Sequence, residues 1–215
     1  MIVLGIDTAT RIASVAIVDD GRVLAELRGD DSARGADLLV QIDAVCSAAN
    51  ITARDIAAVA IGAGPGSFTG LRIGMATAKG IAFAAKCPLW AVSSLAALAF
   101  EELDAEPTAT VVAVLDARKG EVYAGVYQRD RDRTVPVGAE VVMAPERIVA
   151  FAPPGARIIG DFFEVVRTPS GAAVAKLALE GARVDVLVGG APTYIRPSEA
   201  EVKYPDGVPG ALKKR

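Results

Sequence analysis

A glycine-rich stretch, GAGPGSFTGLRIG, occupies residues 62–74 and directly follows a short apolar run that is typical of a buried strand. It carries Pro65 and glycines at positions 62, 64, 66, 70 and 74. Glycine is the residue that tolerates tight turns and a close approach of the backbone. The small and apolar residues that follow predict a helix over residues 67–86. A strand, a glycine loop and a helix in this order favour an α/β fold.

The loop is similar to a phosphate-binding loop but lacks the groups that such loops need. A Walker A loop requires Gly-Lys-Ser/Thr, and here the first lysine after the glycines is Lys79. A dinucleotide fingerprint requires a third glycine and then an acidic ribose ligand, whereas position 67 is serine and no acid occurs before Glu101. The start of the helix can still attract an anion, with Arg72 one turn in, but Ser67 is better explained as an N-cap.

The predicted helix carries a ridge of small residues at i, i+4 spacing, formed by Gly70, Gly74, Ala78 and Ala82. Each glycine inside a helix costs up to about 1 kcal/mol relative to alanine. A helix that keeps such glycines is expected to be approached closely along the ridge. The approaching surface is either a neighbouring element of the same chain, which the residues alone slightly favour, or a second chain.

The composition limits both the core and the chemistry. Hydrophobic residues make up 52% of the 215 and aromatic residues only 5%, so the core is built from small and branched aliphatic side chains. A net charge of −3 gives no basic footprint for independent binding of nucleic acid. The absence of histidine excludes Ser-His-Asp and Cys-His catalysis and histidine-based zinc sites. With no membrane-spanning run and no signal peptide, the chain is expected to be soluble and cytoplasmic.

Periodicity and turn residues predict an alternation of strands and helices. Strands are predicted over residues 2–7, 13–18, 22–28, 56–62, 89–93, 110–116, 121–128, 135–143, 157–160 and 184–188. Helices are predicted over residues 37–49, 67–86, 94–103, 145–151 and 171–181, with Ser93 or Ser94 as the N-cap of the third. A polar stretch over 102–110 is the predicted boundary between an N-terminal lobe, residues 1–105, and a C-terminal lobe, residues 106–215.

The two predicted lobes begin alike, because each has a strand that ends in an aspartate, a short turn and a second strand. The aspartates are Asp7 and Asp116, and the period of about 109 residues indicates either a duplicated lobe or coincidence. The two acids either face each other across a cleft and hold a metal-bound phosphate, or each caps its own turn, which is the favoured interpretation. Thr8 and Thr10 likewise either contact a phosphate or satisfy the first turn.

Five segments stand in an order and spacing that resemble the TsaB family, also called YeaZ: GIDTAT, GAGPGSFTGLRIGMATAKGIA, AVSSLAALA, DARKGEVYAGVY and PTYIRPSEAE. The resemblance covers nearly the whole chain. It implies a two-lobed α/β fold of the actin, sugar kinase and Hsp70 type (ASKHA), in which each lobe is a mixed sheet flanked by helices. It also implies that the remnants of two phosphate loops line the cleft between the lobes, at Asp7, Thr8, Thr10, Asp116 and Arg118.

The resemblance further implies an accessory role in a tRNA modification. Members of the family pair with their paralogue TsaD, which holds a metal through histidines and transfers a threonylcarbamoyl group. The acceptor is the adenosine 3′ of the anticodon in tRNAs that read codons starting with A. TsaC makes threonylcarbamoyl-adenylate, the ATPase TsaE binds the TsaB–TsaD pair, and tRNA is reached only through the complex. The absence of histidine here agrees with a subunit that lacks the metal site and is not an enzyme.

In the family the subunit interface is formed by the first two helices, two from each subunit, as a four-helix bundle. The interface residues that this implies are Leu38, Leu39, Ile42, Val45, Cys46, Gly70, Leu71, Gly74, Ala78 and Ala82. A homodimer of the isolated chain, and ATP or ADP at the complex interface, are left open, and no metal or other cofactor is predicted. The competing hypothesis is an independent ATPase or small-molecule kinase that holds Mg-ATP between Asp7 and Asp116.

Overall fold

The computed structural model describes residues 1–29 and 38–195. Its strands are β1 (Ile2–Asp7), β2 (Ser14–Asp19), β3 (Arg22–Arg28), β4 (Ala58–Gly62), β5 (Leu89–Val92), β6 (Thr110–Arg118), β7 (Glu121–Asp130), β8 (Arg133–Pro136), β9 (Val141–Met143), β10 (Arg157–Gly160) and β11 (Val184–Asp185). Its helices are α1 (Leu38–Ala48), α2 (Phe68–Ala85), α3 (Ser94–Ala105), α4 (Ile148–Phe151) and α5 (Gly171–Leu179), and a 3₁₀ turn over Pro145–Arg147 precedes α4. None of these helices combines the length and hydropathy that crossing a bilayer requires.

The strands form two mixed sheets. The first has the order β11-β5-β4-β1-β2-β3, with β4 parallel to β1 and to β5 and the other pairs antiparallel. The second has the order β10-β6-β7-β8, with β9 also paired to β7; only β10 and β6 run parallel. Each sheet contains one strand–aspartate–turn–strand unit, β1–β2 in the first and β6–β7 in the second. The predicted α/β fold with two mixed, helix-flanked sheets is confirmed.

Helices cover both faces of the first sheet. On one face, α1 and α2 pack through residues such as Val45 and Ala78 against Leu4 and Ile6 of β1, which belong to the same hydrophobic cluster. On the other face, α5 packs in a second cluster with β1, β2 and β4. The approach of α5 is close: a Cβ atom added to Gly5 would lie 2.0 Å from the carbonyl oxygen of its residue Gly171.

Helix α3 lies between the two sheets. Its N-cap is Ser93, whose hydroxyl accepts a hydrogen bond from the backbone N–H of Ala96 (3.2 Å). One side of the helix joins the cluster around α5 through Phe100, and the other joins strands β6 and β7 through residues such as Leu98 and Leu103. A helix that is apolar on most of its circumference is expected to be buried on more than one side, and α3 therefore forms the common core of both sheets.

The end of the described chain returns to the first sheet. Helix α5 and strand β11 lie within residues 106–215, the range predicted for the C-terminal lobe, but α5 covers β1 and β11 pairs with β5. The second sheet is therefore built from residues 110–160 and does not coincide with the predicted C-terminal lobe. The sequence carries no sign of this return, because the pattern of a helix is the same whichever sheet it covers.

Two predicted strands differ from the structure at turn residues. The strand predicted over 135–143 is two strands, β8 and β9, which pair with different parts of β7 and are separated by Gly138 at a φ of 89°. The strand predicted over 184–188 ends at Asp185, whose side chain accepts a hydrogen bond from the backbone N–H of Leu187 (3.1 Å). The helix predicted over 145–151 begins as a 3₁₀ turn. The other elements agree with the predictions to within a few residues at each end.

Candidate functional site

The first candidate residue, Asp7, ends β1 and is fully buried. Its Oδ1 accepts a hydrogen bond from the backbone N–H of Ala9 (2.8 Å), and its Oδ2 accepts one from the hydroxyl of Ser94 (2.7 Å). Burial raises the pKa of Asp7 to about 6, although both hydrogen bonds act to lower it. The Ser94 hydroxyl also accepts from the backbone N–H of Gly64 (3.3 Å). Asp7 therefore ties the end of β1 to the glycine loop and to the start of α3.

The hydroxyl groups of the two threonines after Asp7 differ in their hydrogen bonds. Thr10 Oγ1 accepts from the backbone N–H of Ile12 (3.2 Å) and donates to the carbonyl oxygen of the same residue (3.0 Å). The hydroxyl of Thr8 is buried and has no hydrogen-bond partner within residues 1–29 and 38–195. Thr10 thus satisfies its turn, whereas Thr8 is held by packing alone.

Four glycines of the stretch 62–74 lie directly against residues 7–9: Gly62 ends β4, Gly66 is in the loop, and Gly70 and Gly74 are in α2. Cβ atoms of real side chains essentially never approach other heavy atoms within 3.0 Å. An added Cβ would lie 1.9 Å from Asp7 Oδ2 at Gly62, 2.4 Å from the Ala9 carbonyl oxygen at Gly66, 2.2 Å from the Thr8 carbonyl oxygen at Gly70, and 2.2 Å from Thr8 Oγ1 at Gly74. The glycine-rich stretch therefore packs around a turn of its own chain, much as a phosphate-binding loop surrounds a phosphate.

The small-residue ridge of α2 consequently faces inward. Gly74, Ala78 and Ala82 are buried, and both alanines belong to the core cluster under the first sheet. Leu71 is buried in the cluster between the sheets, and Gly70 is half-buried against Thr8. These five residues were predicted to contact a partner. The structure corrects that prediction for the four buried residues, and for Gly70 it stays a prediction. The i, i+4 spacing places the ridge on one side of the helix, and that side packs on β1, its turn and the sheet.

Most of the predicted interface residues of α1 also face the core of the chain. Leu38, Ile42 and Val45 are buried against the first sheet, so they are core residues and not partner contacts. Cys46 is half-buried, and its contact with a partner stays a prediction. Of the predicted α1 set only Leu39 is exposed, at 63%. Apart from Leu39, the exposed apolar residues of the two helices lie outside the predicted set. We call the exposed apolar surface of the two helices the outer helix face and define it by Leu39, Val40, Ile73, Gly80 and Phe83.

The second candidate aspartate, Asp116, is half-exposed near the end of β6. Its Oδ1 accepts from the backbone N–H of Arg118 (2.7 Å), and its Oδ2 forms an ion pair with the guanidinium of the same residue (3.0 Å). The backbone N–H of Asp116 donates to Asp161 Oδ1 (2.8 Å). Burial raises the pKa of Asp161, and the negative charge of Asp116 acts in the same direction.

Asp7 and Asp116 form equivalent turns in the two sheets. Each accepts, through Oδ1, the backbone N–H two residues further on, as the turn-capping interpretation predicts. The residues next to these turns, Ala9 and Ala117, lie in the same hydrophobic cluster between the sheets. Across the described ranges, no three His, Cys, Asp or Glu side chains are grouped closely enough to hold a metal ion. Both turns thus border the same core, and each aspartate is occupied by contacts within the chain: Asp7 with Ala9 and Ser94, Asp116 with Arg118.

Sequence reasoning missed several polar residues that complete the site. Ser94 was considered only as a helix cap, yet Ser93 fills that role and leaves Ser94 for Asp7. The pair of consecutive serines was the available signal, because one helix needs one cap. Asp161 directly follows the strand β10, so it is a third aspartate at the end of an apolar strand, like Asp7 at the end of β1. Glu140 accepts hydrogen bonds from Ser93 and Tyr127, and no local pattern marks it.

The contact between Gly74 and Thr8 yields a test by a double-mutant cycle. Gly74→Ala should lower the free energy of unfolding by about 1–3 kcal/mol, because the new methyl group overlaps Thr8 Oγ1. Thr8→Ala removes that atom, so Gly74→Ala in this background should cost less than about 1 kcal/mol, helped by the helix propensity of alanine. Urea unfolding of the four proteins at one pH measures the coupling. Additive effects would mean that the two residues do not touch.

The burial of Asp7 predicts a specific pH dependence. Because the pKa is about 6 in the folded chain against 3.8 ordinarily, the unfolded chain loses this proton first as the pH rises. The free energy of unfolding of the wild type, relative to that of Asp7→Asn, should therefore fall by on the order of 3 kcal/mol between pH 4 and pH 6. Above pH 6 the difference should level off. Denaturant unfolding from pH 4 to 7 measures the difference, with Asp43→Asn on α1 as the control. A difference that does not vary with pH would contradict the assignment.

Comparison with known proteins places these features in a family. A family model described as TsaD, tRNA N6-adenosine threonylcarbamoyltransferase, matches residues 35–197. The chain is similar to the tRNA threonylcarbamoyladenosine biosynthesis protein TsaB of Escherichia coli K12, with 39% identity over 132 residues, 61% of this chain and 57% of that protein. This match thus spans little more than half of the Escherichia coli protein. The TsaB of Bacillus subtilis 168 is 27% identical over 95% of this chain and 98% of the relative.

A solved structure agrees with these sequence matches. A Pseudomonas aeruginosa protein described as similar to the peptidase YeaZ superposes with a TM-score of 0.78 at 29% identity, covering 91% of this chain and 99% of that one. The family model covers well over half of the chain, and the named relatives extend over nearly all of it. The chain therefore belongs to the TsaD family, and within it to the group of proteins named TsaB or YeaZ.

Proposed function

We propose that the chain is an accessory subunit in the formation of threonylcarbamoyladenosine in tRNA, and that it acts by binding a TsaD-type partner. The names of its TsaB relatives support the biosynthetic process, and the match to a TsaD family model supports a paralogue of the transferase. The observation that carries the proposal is the outer helix face, which leaves large apolar side chains of two helices in contact with solvent. Under this proposal the partner carries out the transfer to the adenosine 3′ of the anticodon.

The outer helix face has the chemistry of a protein interface. Phe83 is 80% exposed, Val40 is 66% exposed and Leu39 is nearly as open. Gly80 lies one helical turn from Phe83, and a Cβ atom added there would meet no atom of residues 1–29 and 38–195 within 4 Å. Large apolar side chains exposed on neighbouring elements are typical of an interaction surface. Two such helices can pack against two helices of a partner as a four-helix bundle.

The state of the candidate cleft supports a role without catalysis. Asp7 is buried with both carboxylate oxygens engaged, and Asp116 is paired with Arg118. Ser67 caps α2 by accepting the backbone N–H of Gly70 (3.3 Å). Neither aspartate is presented to Mg-ATP in the way an independent ATPase or kinase requires. ATP or ADP at the surface between the subunits stays a prediction, as does the binding of TsaE to the assembled pair.

A steric block on the outer helix face should abolish binding to the partner without unfolding the chain. Gly80→Arg adds a long side chain where this fold has open space, and it replaces glycine by a better helix former, so thermal stability should be unchanged or higher. Phe83→Asp removes an exposed aromatic anchor and should cost at least about 2 kcal/mol of binding, roughly thirtyfold in Kd. Calorimetry or biolayer interferometry with purified TsaD measures both.

Matched variants separate a local effect from a general one. Gly80→Ala is too small to block a partner and should bind normally. Val149→Asp introduces the same charge at a residue of equal exposure, 80%, on α4 beside the second sheet. It should also bind normally. If Gly80→Arg and Phe83→Asp bind TsaD with wild-type affinity, the partner uses another surface and the interface proposal is wrong.

Reconstitution tests the proposed function itself. Formation of threonylcarbamoyladenosine in a suitable tRNA by TsaC, TsaD and TsaE should depend on addition of this chain. The Gly80→Arg chain should fail to support the reaction, whereas Gly80→Ala and Val149→Asp should support it. Mass spectrometry of digested tRNA measures the product. Full product formation without the chain, or with the Gly80→Arg chain, would contradict an accessory role that acts through this face.

A further inference from the structure

A pocket of about 330 Å³ opens beside the carboxyl ends of β4 and β5, on the side of the molecule where β11 pairs with the first sheet. This volume falls at the lower end of the ~300–1,000 Å³ range of small-molecule sites. Its apolar wall includes Ala63, Val92 and Val186, and its polar groups include Glu140 and Arg183. The pocket does not include any residue of the outer helix face.

Glu140 presents a carboxylate that is held in place by two hydroxyl groups. Ser93 and Tyr127 both donate to its Oε1, Tyr127 at 2.5 Å. Ser93 is the N-cap of α3, and Tyr127 belongs to β7 of the second sheet, so the carboxylate is anchored from two elements. Within the described residues, Oε2 makes no hydrogen bond or ion pair. A fixed carboxylate with one uncommitted oxygen is a ready acceptor for a cationic group.

Arg183 supplies the opposite charge in the same pocket. Its guanidinium stacks over the ring of Trp90, 4.0 Å from the ring centroid, and donates one hydrogen bond to the carbonyl oxygen of Ala178 (2.5 Å). The guanidinium has five N–H donors, and the hydrogen bond to Ala178 uses one of them. Arg183 and Glu140 do not pair with each other, although both line the pocket.

We propose that the pocket binds a small α-amino acid with an apolar side chain. The ammonium group would bind Glu140 Oε2, the carboxylate would bind the Arg183 guanidinium, and the side chain would lie on the apolar wall. Arg183 is exposed and Glu140 is half-buried. A zwitterion is the ligand class that offers a charge-assisted partner to both groups at once, whereas a simple anion or cation engages only one of them. Such a site goes beyond the proposed role in partner binding and does not depend on it.

The position of Trp90 provides a direct measurement. It is the chain's single tryptophan and is stacked under Arg183, so a carboxylate that binds Arg183 should change its fluorescence. We expect a saturable change when the full chain is titrated with L-valine. L-Valinamide, which lacks the carboxylate, and N-acetyl-L-valine, which lacks the ammonium, should bind at least about tenfold more weakly, since each loses one charge-assisted contact. Calorimetry with the same probes gives an independent affinity.

Two variants and two controls localise the binding. Glu140→Gln still accepts from Ser93 and Tyr127 but lacks the charge, and Arg183→Met keeps an unbranched side chain over Trp90. Each should weaken L-valine binding at least about tenfold. Glu146→Gln and Arg147→Met, in the 3₁₀ turn outside the pocket, should leave it unchanged. Absence of saturable binding by both methods, or equal affinity in the two pocket variants and the wild type, would overturn the proposal.

Discussion

The fold depends on the contact between the glycine loop and the turn at residues 7–9. Four glycines leave no room for any side chain there, and the space that they clear is filled by the carboxylate of Asp7 and by backbone and side-chain atoms of Thr8 and Ala9. The same turn is hydrogen-bonded to α3 through Ser94, so β1, β4, α2 and α3 meet around three residues. The loop has the composition of a phosphate cradle because both tasks require a backbone that can be approached closely. Here the occupant is the chain itself.

Much of this arrangement was predictable from the sequence, and the failures have physical causes. Periodicity located the helices and most strands because burial of one face imposes it, and the glycine ridge indicated a close approach. The direction of that approach was not predictable, since an i, i+4 row of small residues looks the same whether it meets its own turn or a second chain. The resemblance to TsaB favoured the second chain, and burial of Gly74, Ala78 and Ala82 decides for the first. The return of α5 and β11 to the first sheet was likewise unpredictable, because it is a matter of topology and not of local pattern.

The two strand-ending aspartates illustrate how environment separates residues with equal sequence signatures. Both accept the N–H two residues on, so the local geometry is repeated. Asp7 is sealed between the glycine loop and α3, and burial raises its pKa, whereas Asp116 keeps an arginine partner and partial contact with water. The sequence identified both turns correctly. It could not assign the burial, which depends on Gly62 and Ser94, residues more than fifty positions away.

Helix α2 performs two tasks with its two sides, and this division explains why its glycines are not equivalent. On the inner side, Gly70 and Gly74 are required because Thr8 occupies the position of a Cβ atom. On the outer side, a Cβ atom added to Gly80 would meet none of the described residues. Residues 1–29 and 38–195 therefore do not explain why the helix gives up the stability that alanine would supply. A close approach by another helix would explain it, and the exposed side chains of Ile73 and Phe83 lie on the same side. Helix α2 is therefore still a candidate docking helix. The docking side is the outer one, which carries Gly80, and not the inner ridge of small residues that first suggested docking.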